Sequence, residues 1–320
     1  MTACERNSMP EFEQEISSLI IAPNGFPDVE FPDGNEFSEA RWLLGKKLFY
    51  DPIMSSDFSI SCASCHDPSL AFADNKIFSE GASNAPGIRN APSLANVAYH
   101  PYYTREGGVP TLEMQVLVPI QEHNEFNSNI LDIADRLNED SEYIKLSMDA
   151  YDRAPDPFVI TRAIATFERT LISGSSLYDE GRMSISAKSG MALFFSERTK
   201  CSTCHSGFNF TNYEFTNNGL YSNYKDVGRF RLTRDSIDLS VFKIPSLRNV
   251  ALTAPYMHDG SIANLTEVMT HYNTGGFDHR NKSENVKPLK LSASEQKDII
   301  EFLKSLTDIK FTTIELLQEN

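Results

Sequence analysis

The chain has 320 residues, 40% of them hydrophobic and 23% charged, an ordinary globular balance with room for two cored domains. A formal net charge of −15 argues against nucleic acid or an anionic membrane surface as partner. It suits a basic partner steered by the field, although the same charge also serves plain solubility. No apolar run approaches the roughly 20 residues of a membrane-spanning helix.

The N-terminus, "MTACERNSMPEFEQ", has no apolar h-region of an export signal. Thr-Ala-Cys resembles the end of a bacterial lipoprotein signal. Cys4, the one cysteine outside a pair, therefore reads either as a lipid anchor on a trimmed lipoprotein or as a surface thiol.

After "LGKKLFYD" (44–51) comes Cys62-Ala-Ser-Cys65-His66, and after "GMALFFSE" (190–197) comes Cys201-Ser-Thr-Cys204-His205. With five cysteines and seven histidines in the chain, a given cysteine opens C-x-x-C-H by chance about 3 times in 10,000, so two matches are not accidental. The spacing is the attachment signature of c-type haem. Two thiols add to the two vinyl groups, and the next histidine becomes the proximal iron ligand. A thioredoxin-like dithiol needs no histidine there and sits in a βαβ context that is absent. Paired C-x₂-C zinc motifs usually lie roughly 15–20 residues apart, whereas these begin 139 residues apart. The reading is two covalent haem c groups. In bacteria that attachment takes place outside the cytoplasm, so a periplasmic location is expected.

"RNAPSLANVAYHPYYTREGGVPTLEMQ" (89–115) is echoed by "FKIPSLRNVALTAPYMHDGSIANLTEV" (242–268), each copy downstream of its own haem motif. Pro155 and Pro157 break any helix between the copies. The division is an N-terminal extension at 1–34, a haem domain at 35–157 and a second at 158–320. Ile160, Ile164, Phe167 and Leu171 predict a helix over 158–173 stopped by Gly174. Ser292 and Glu295 make a capping box ahead of Ile299, Ile300 and Leu303. The expected fold is mainly α and loop-rich: two c-type cytochrome-like haem domains related by internal duplication.

From about residue 40 to 307, the two haem motifs, "RNAPSL", Pro119-x₅-Glu125, "FKIPSLRNVALTAPYMHDG" and "HYNTGG" resemble the bacterial dihaem cytochrome c peroxidase family, including its MauG-like branch. The resemblance implies a peroxidase reducing H₂O₂ to water. Electrons from a small cytochrome c or cupredoxin enter at the C-terminal haem. The alternatives are a MauG-like peroxide-dependent oxidase of a protein or peptide, and a plain dihaem electron carrier. Monomer and homodimer are both compatible.

By the same resemblance His66 is the proximal ligand of the peroxidatic haem, and Gln115, Pro119 and Glu125 form its distal pocket. Peroxide cleavage needs a group that moves a proton from one oxygen to the other, and a carboxylate in an apolar pocket suits that work. Glu122 and His123 are nearby competitors, read as surface residues. His205 is the proximal ligand of the electron-transfer haem. Tyr272 falls at its other axial position, with Met257 as second choice and Met269 and His271 as further alternatives. One Ca²⁺ is implied between the domains, on the Asn90 side chain and the carbonyls of Thr253 and Pro255, in an all-oxygen shell.

The chain departs from the family pattern twice. Ala82 stands where members that need reductive activation carry a histidine ligand, and no histidine occurs from 67 to 99. Arg105-Glu106-Gly107 stands where the family often places an inter-haem Trp-Asp-Gly. The only tryptophan, Trp42, lies elsewhere, leaving Tyr102 or Tyr103 as substitutes.

Overall fold

A computed structural model describes residues 11–319, and Cys4 lies outside the described residues. The helices run α1 (Glu11–Ser18), α2 (Glu39–Tyr50), α3 (Leu112–Gln121), α4 (Ile130–Asn138), α5 (Ser141–Tyr151), α6 (Pro157–Glu168), α7 (Ile185–Phe194), α8 (Phe230–Thr233), α9 (Leu265–Thr274) and α10 (Ala293–Lys304). Among the described residues the only sheet is the two-residue antiparallel pair β1 (Phe215–Thr216) and β2 (Phe242–Lys243). The fold is mainly helical and loop-rich, as expected. No helix among the described residues is long and apolar enough to cross a membrane.

Two helix crossings organise it. A Cβ on Gly45 of α2 would lie 1.9 Å from the Ala163 carbonyl oxygen of α6. A Cβ on Gly190 of α7 would lie 1.9 Å from the Asp298 carbonyl oxygen of α10. Backbone therefore meets backbone at both crossings. Leu48 of α2, Ile120 of α3 and Ile164 of α6 share one buried cluster, and Phe194, Met269 and Phe302 share another. Each such side chain contributes on the order of 2 kcal/mol when fully buried.

Helix α6 departs from the sequence reading. Pro157 does not break it but starts it, at the first turn after the Asp156 N-cap, where a missing N–H costs nothing. The helix ends at Glu168 rather than 173, because the following backbone is captured elsewhere. Asn96 N–H donates to the Leu171 carbonyl, and Ser173 N–H donates to Asn96 Oδ1, both at 2.8 Å. Gly174 is no helix stop: its N–H donates to Asp308, and a Cβ there would meet Pro23 at 2.5 Å. Since α6 packs on α2 and α3, a division at 157/158 separates it from the core it fills. The Ser292–Glu295 capping box is present as read.

The repeated segments share local geometry. Asn96 and Asn249, each fifth in Pro-Ser-Leu-x-Asn, have positive φ of 62° and 59°, a conformation asparagine tolerates better than most residues. Both converge on Ser173: Asn96 Nδ2 donates to its carbonyl at 2.8 Å, and Asn249 Nδ2 to its hydroxyl at 2.9 Å. Further on, isolated antiparallel bridges join Tyr103 to Val109 and Tyr256 to Ile262.

Candidate haem sites

Each Cys-x-x-Cys-His segment forms one tight turn. His66 N–H donates to the Cys62 carbonyl at 3.0 Å and His205 N–H to the Cys201 carbonyl at 2.9 Å, which sets each ring beside its cysteines. His66 Nδ1 lies 2.9 Å from the Phe72 carbonyl oxygen, and His205 Nδ1 lies 3.1 Å from that of Phe210. A carbonyl only accepts, so Nδ1 carries the hydrogen and Nε2 keeps its lone pair, the tautomer a metal ligand needs. Phe72 and Phe210 both turn their carbonyls inward from the left-handed region, at φ 57° and 49°. Such backbone is costly and persists only where its surroundings enforce it. Burial lowers the pKa of His66, and that of His205 to about 4, so both rings stay neutral. None of the four motif cysteines is joined in a disulfide.

Cys62, Cys65 and His66 line one cavity. Gln115 and Pro119, one turn apart on α3, line it too, with Glu125 beyond the helix end. Proline lacks the N–H that would bond the Gln115 carbonyl. A turn then folds Glu125 back: its N–H donates to Glu122 O at 3.0 Å, and Phe126 N–H donates to Pro119 O at 3.1 Å. Part of the Glu125 side chain is exposed, but it faces the cavity, and the enclosing protein, with a smaller push from Glu122, raises its carboxyl to about 7. Gln115 Oε1 is buried without a hydrogen-bond partner. A polar atom left unpaired inside a cavity beside two thiols and a poised imidazole fits a covalently held haem. Glu122 is outside the lining, and His123 is exposed and bonded to Asn127.

Ala82 does not line the cavity but is tied to a residue that does. It is buried, and its N–H donates to the Glu125 carbonyl at 2.8 Å. A Cβ on neighbouring Gly81 would lie 2.2 Å from the Asn124 carbonyl, so only glycine permits the loop to come this close. His66 is the only histidine lining the cavity.

One lining residue escaped the sequence reading. Glu168, the last residue of α6, lines the same cavity, and burial raises its carboxyl to about 8. Arg169 offsets this only in part, being held by Glu113 through bonds of 2.7 and 3.1 Å. The available signal was an acid inside the apolar run "AIATFERTL" (163–171).

At the second motif Tyr272 is enclosed by protein and its hydroxyl is pushed up to about 12, first by burial, with Cys201 and Cys204 adding to it. The Asn218 amide favours its ionised form. The same amide lies 3.2 Å from Met257 Sδ, so the structure gathers both candidate ligands around Asn218. His271 spends Nε2 on the Asn218 carbonyl at 3.0 Å, and Met269 lies in the apolar cluster.

The calcium expectation does not fit. The Arg105 guanidinium donates to the Asn90 carbonyl at 2.6 Å and lies 3.4 Å from Asn90 Oδ1, while Asn90 Nδ2 is spent on the Lys76 carbonyl. A Ca²⁺ on Asn90 Oδ1 would lie within about 6 Å of that guanidinium nitrogen. Their repulsion is on the order of 5 kcal/mol at an effective dielectric of about 20. The Thr253 and Pro255 carbonyls are neutral, and the carboxylates that act on Arg105 (Glu106, Asp226 and Asp259) offset only part of that repulsion, the first two being paired with Arg89.

The model of the di-haem cytochrome c peroxidase family matches residues 39–185. The methylamine utilization protein MauG of Methylorubrum extorquens is 33% identical over 92% of this chain and 86% of its own. The cytochrome c551 peroxidase of Pseudomonas aeruginosa is 31% identical over 74% and 72%. Among solved structures, a MauG-like protein associated with microbial copper homeostasis superposes with a TM-score of 0.88 at 32% identity, covering 92% of this chain and 97% of that one. The diheme peroxidase BthA from Burkholderia thailandensis shares the fold, with a TM-score of 0.76 at 20% identity. With two haem motifs in matching local geometry and relatives spanning nearly all of it, the chain belongs to the di-haem cytochrome c peroxidase family, which includes both cytochrome c peroxidases and MauG-like proteins.

Proposed function

We propose that this protein is a periplasmic, peroxide-dependent oxidoreductase that reduces H₂O₂ at the His66 site. Electrons from a small redox protein enter at the His205 site. The observation that carries the reading is the Ala82 amide bonded to the Glu125 carbonyl, where a loop without histidine is fastened to a cavity-lining residue. Cys62, Cys65 and His66 would hold one haem; Cys201, Cys204 and His205 would hold the other, with Tyr272 as a further candidate ligand. The haem at His66 supplies the iron centre at which peroxide is reduced. Glu125, near neutrality in its pKa, takes a proton from one peroxide oxygen and returns it to the other. Gln115 offers its unpaired oxygen to orient the peroxide.

Matched geometry at Asn96 and Asn249, and at the two tyrosine bridges, supports an internal duplication. With α6 kept in the first core, we place the halves at 35–173 and 174–320. Tyr102, stacked on Phe215 at 5.2 Å, supplies an aromatic contact between them. A lipid anchor through Cys4 accords with a periplasmic location.

A second reading is MauG-like oxidation of a protein side chain. Enclosure of Tyr272 against Cys201 and Cys204 favours it, because tyrosinate ligation lowers a haem potential where methionine raises it. Peroxide consumption measured with a reduced cytochrome c or cupredoxin decides between the two. Rapid donor-dependent turnover is the expected result. Consumption that ignores every donor and proceeds only with a protein co-substrate selects the second reading.

A further inference from the structure

Arg105 lies in the stretch between the two halves. Its guanidinium bonds Asn90, whose own N–H donates to the His258 carbonyl at 3.1 Å, while the Arg105 carbonyl accepts from Lys243 N–H of β2 at 2.7 Å. One residue thus links a first-half loop, a second-half strand and, through Asn90, the second-half loop at 258. Enclosure lowers its pKa to about 10, with Arg89 adding to the effect, so it is charged at neutral pH. Arg89 is itself neutralised by Asp226 at 2.7 Å and Glu106 at 2.6 Å, which leaves Arg105 as the cation on Asn90.

We propose that Arg105 is a positioning residue that serves as the fixed inter-half cation, so that this chain joins its two halves without calcium. The guanidinium brings donors where a divalent ion would bring a vacant coordination sphere, and it stands on the very asparagine such an ion would use. The inference does not depend on the peroxide chemistry.

The test uses the haem-loaded full chain. Metal analysis after treatment with EGTA and gel filtration should find no stoichiometric calcium. Melting temperature and electronic spectrum should be the same in EGTA and in millimolar calcium. Arg105→Gln should lower the melting temperature by several degrees, and Arg105→Lys should recover part of that loss. One retained calcium per wild-type chain would overturn the proposal. So would a wild-type melt or spectrum that EGTA shifts and calcium restores, or an Arg105→Gln protein as stable as wild type. Should Arg105→Gln fail to fold, the wild-type measurements decide alone.

Discussion

The backbone N–H of Ala82 donates to the carbonyl oxygen of Glu125 at 2.8 Å, fastening the 79–87 loop to a residue that lines the cavity. The loop is thereby held in place without contributing a side chain longer than a methyl group at that point. Gln115, Glu125 and Glu168 are the amide and carboxyl side chains that line the cavity.

Glu125 works as a proton acceptor only when ionised, and its carboxyl is raised to about 7. The rate of the first reaction with peroxide should therefore climb as pH rises through about 7 and level off above it. Glu125→Gln should abolish that rise and slow cleavage by roughly 10²–10⁴-fold, the usual worth of a positioned acid–base group. Pre-steady-state rates across pH check both. An unchanged profile in the variant removes Glu125 from the chemistry.

Glu168 gives a stability signature instead. Its pKa is about 8 in the folded protein against an ordinary 4.5, so between those values the folded state holds the proton more tightly than the unfolded chain. Stability contributed by this group is thus lost as pH rises through that window. Glu168→Gln should flatten the fall of melting temperature with pH; a slope equal to that of wild type would contradict the assignment.

Tyr272 and Met257 meet at Asn218, and only one of them is expected to ligate the second haem. Tyr272→Phe should alter the low-spin signals of that haem in electron paramagnetic resonance, leaving those of the first unchanged. If instead Met257→Leu removes the signals and Tyr272→Phe does not, the methionine is the ligand.

Gly45 and Gly190 separate helix propensity from packing. In a free helix, glycine to alanine gains about 0.5–1 kcal/mol. Here the new Cβ would lie 1.9 Å from a carbonyl oxygen of the facing helix in both cases. Gly45→Ala and Gly190→Ala should each lower the thermal midpoint, and a rise in either would show that the crossing is looser than described.

Much of this was readable in the sequence because the chemistry fixes the spacing. Cys62, Cys65 and His66 must share one turn whatever surrounds them, and the Pro-Ser-Leu-x-Asn repeats announce a shared backbone path. Ser292 and Glu295 cap a helix locally and were legible for the same reason. Residues that depend on distant partners were harder to read. The end of α6 is set by Asn96, more than seventy residues away, which no periodicity in 158–173 records. Glu168 looks like a helix-surface acid until α6 is laid against the cavity. Arg105 read as a missing tryptophan, and only its approach to Asn90 shows what stands there instead.

With no histidine in the loop at Ala82 to close it, the His66 site is expected to be open to peroxide before any reduction. Stopped-flow mixing of the fully oxidised two-haem protein with stoichiometric H₂O₂ tests this directly. An immediate change in the Soret band, with no reductant present, is the predicted result. A fully oxidised protein that stays inert to peroxide, and reacts only after one haem has been reduced, would contradict it.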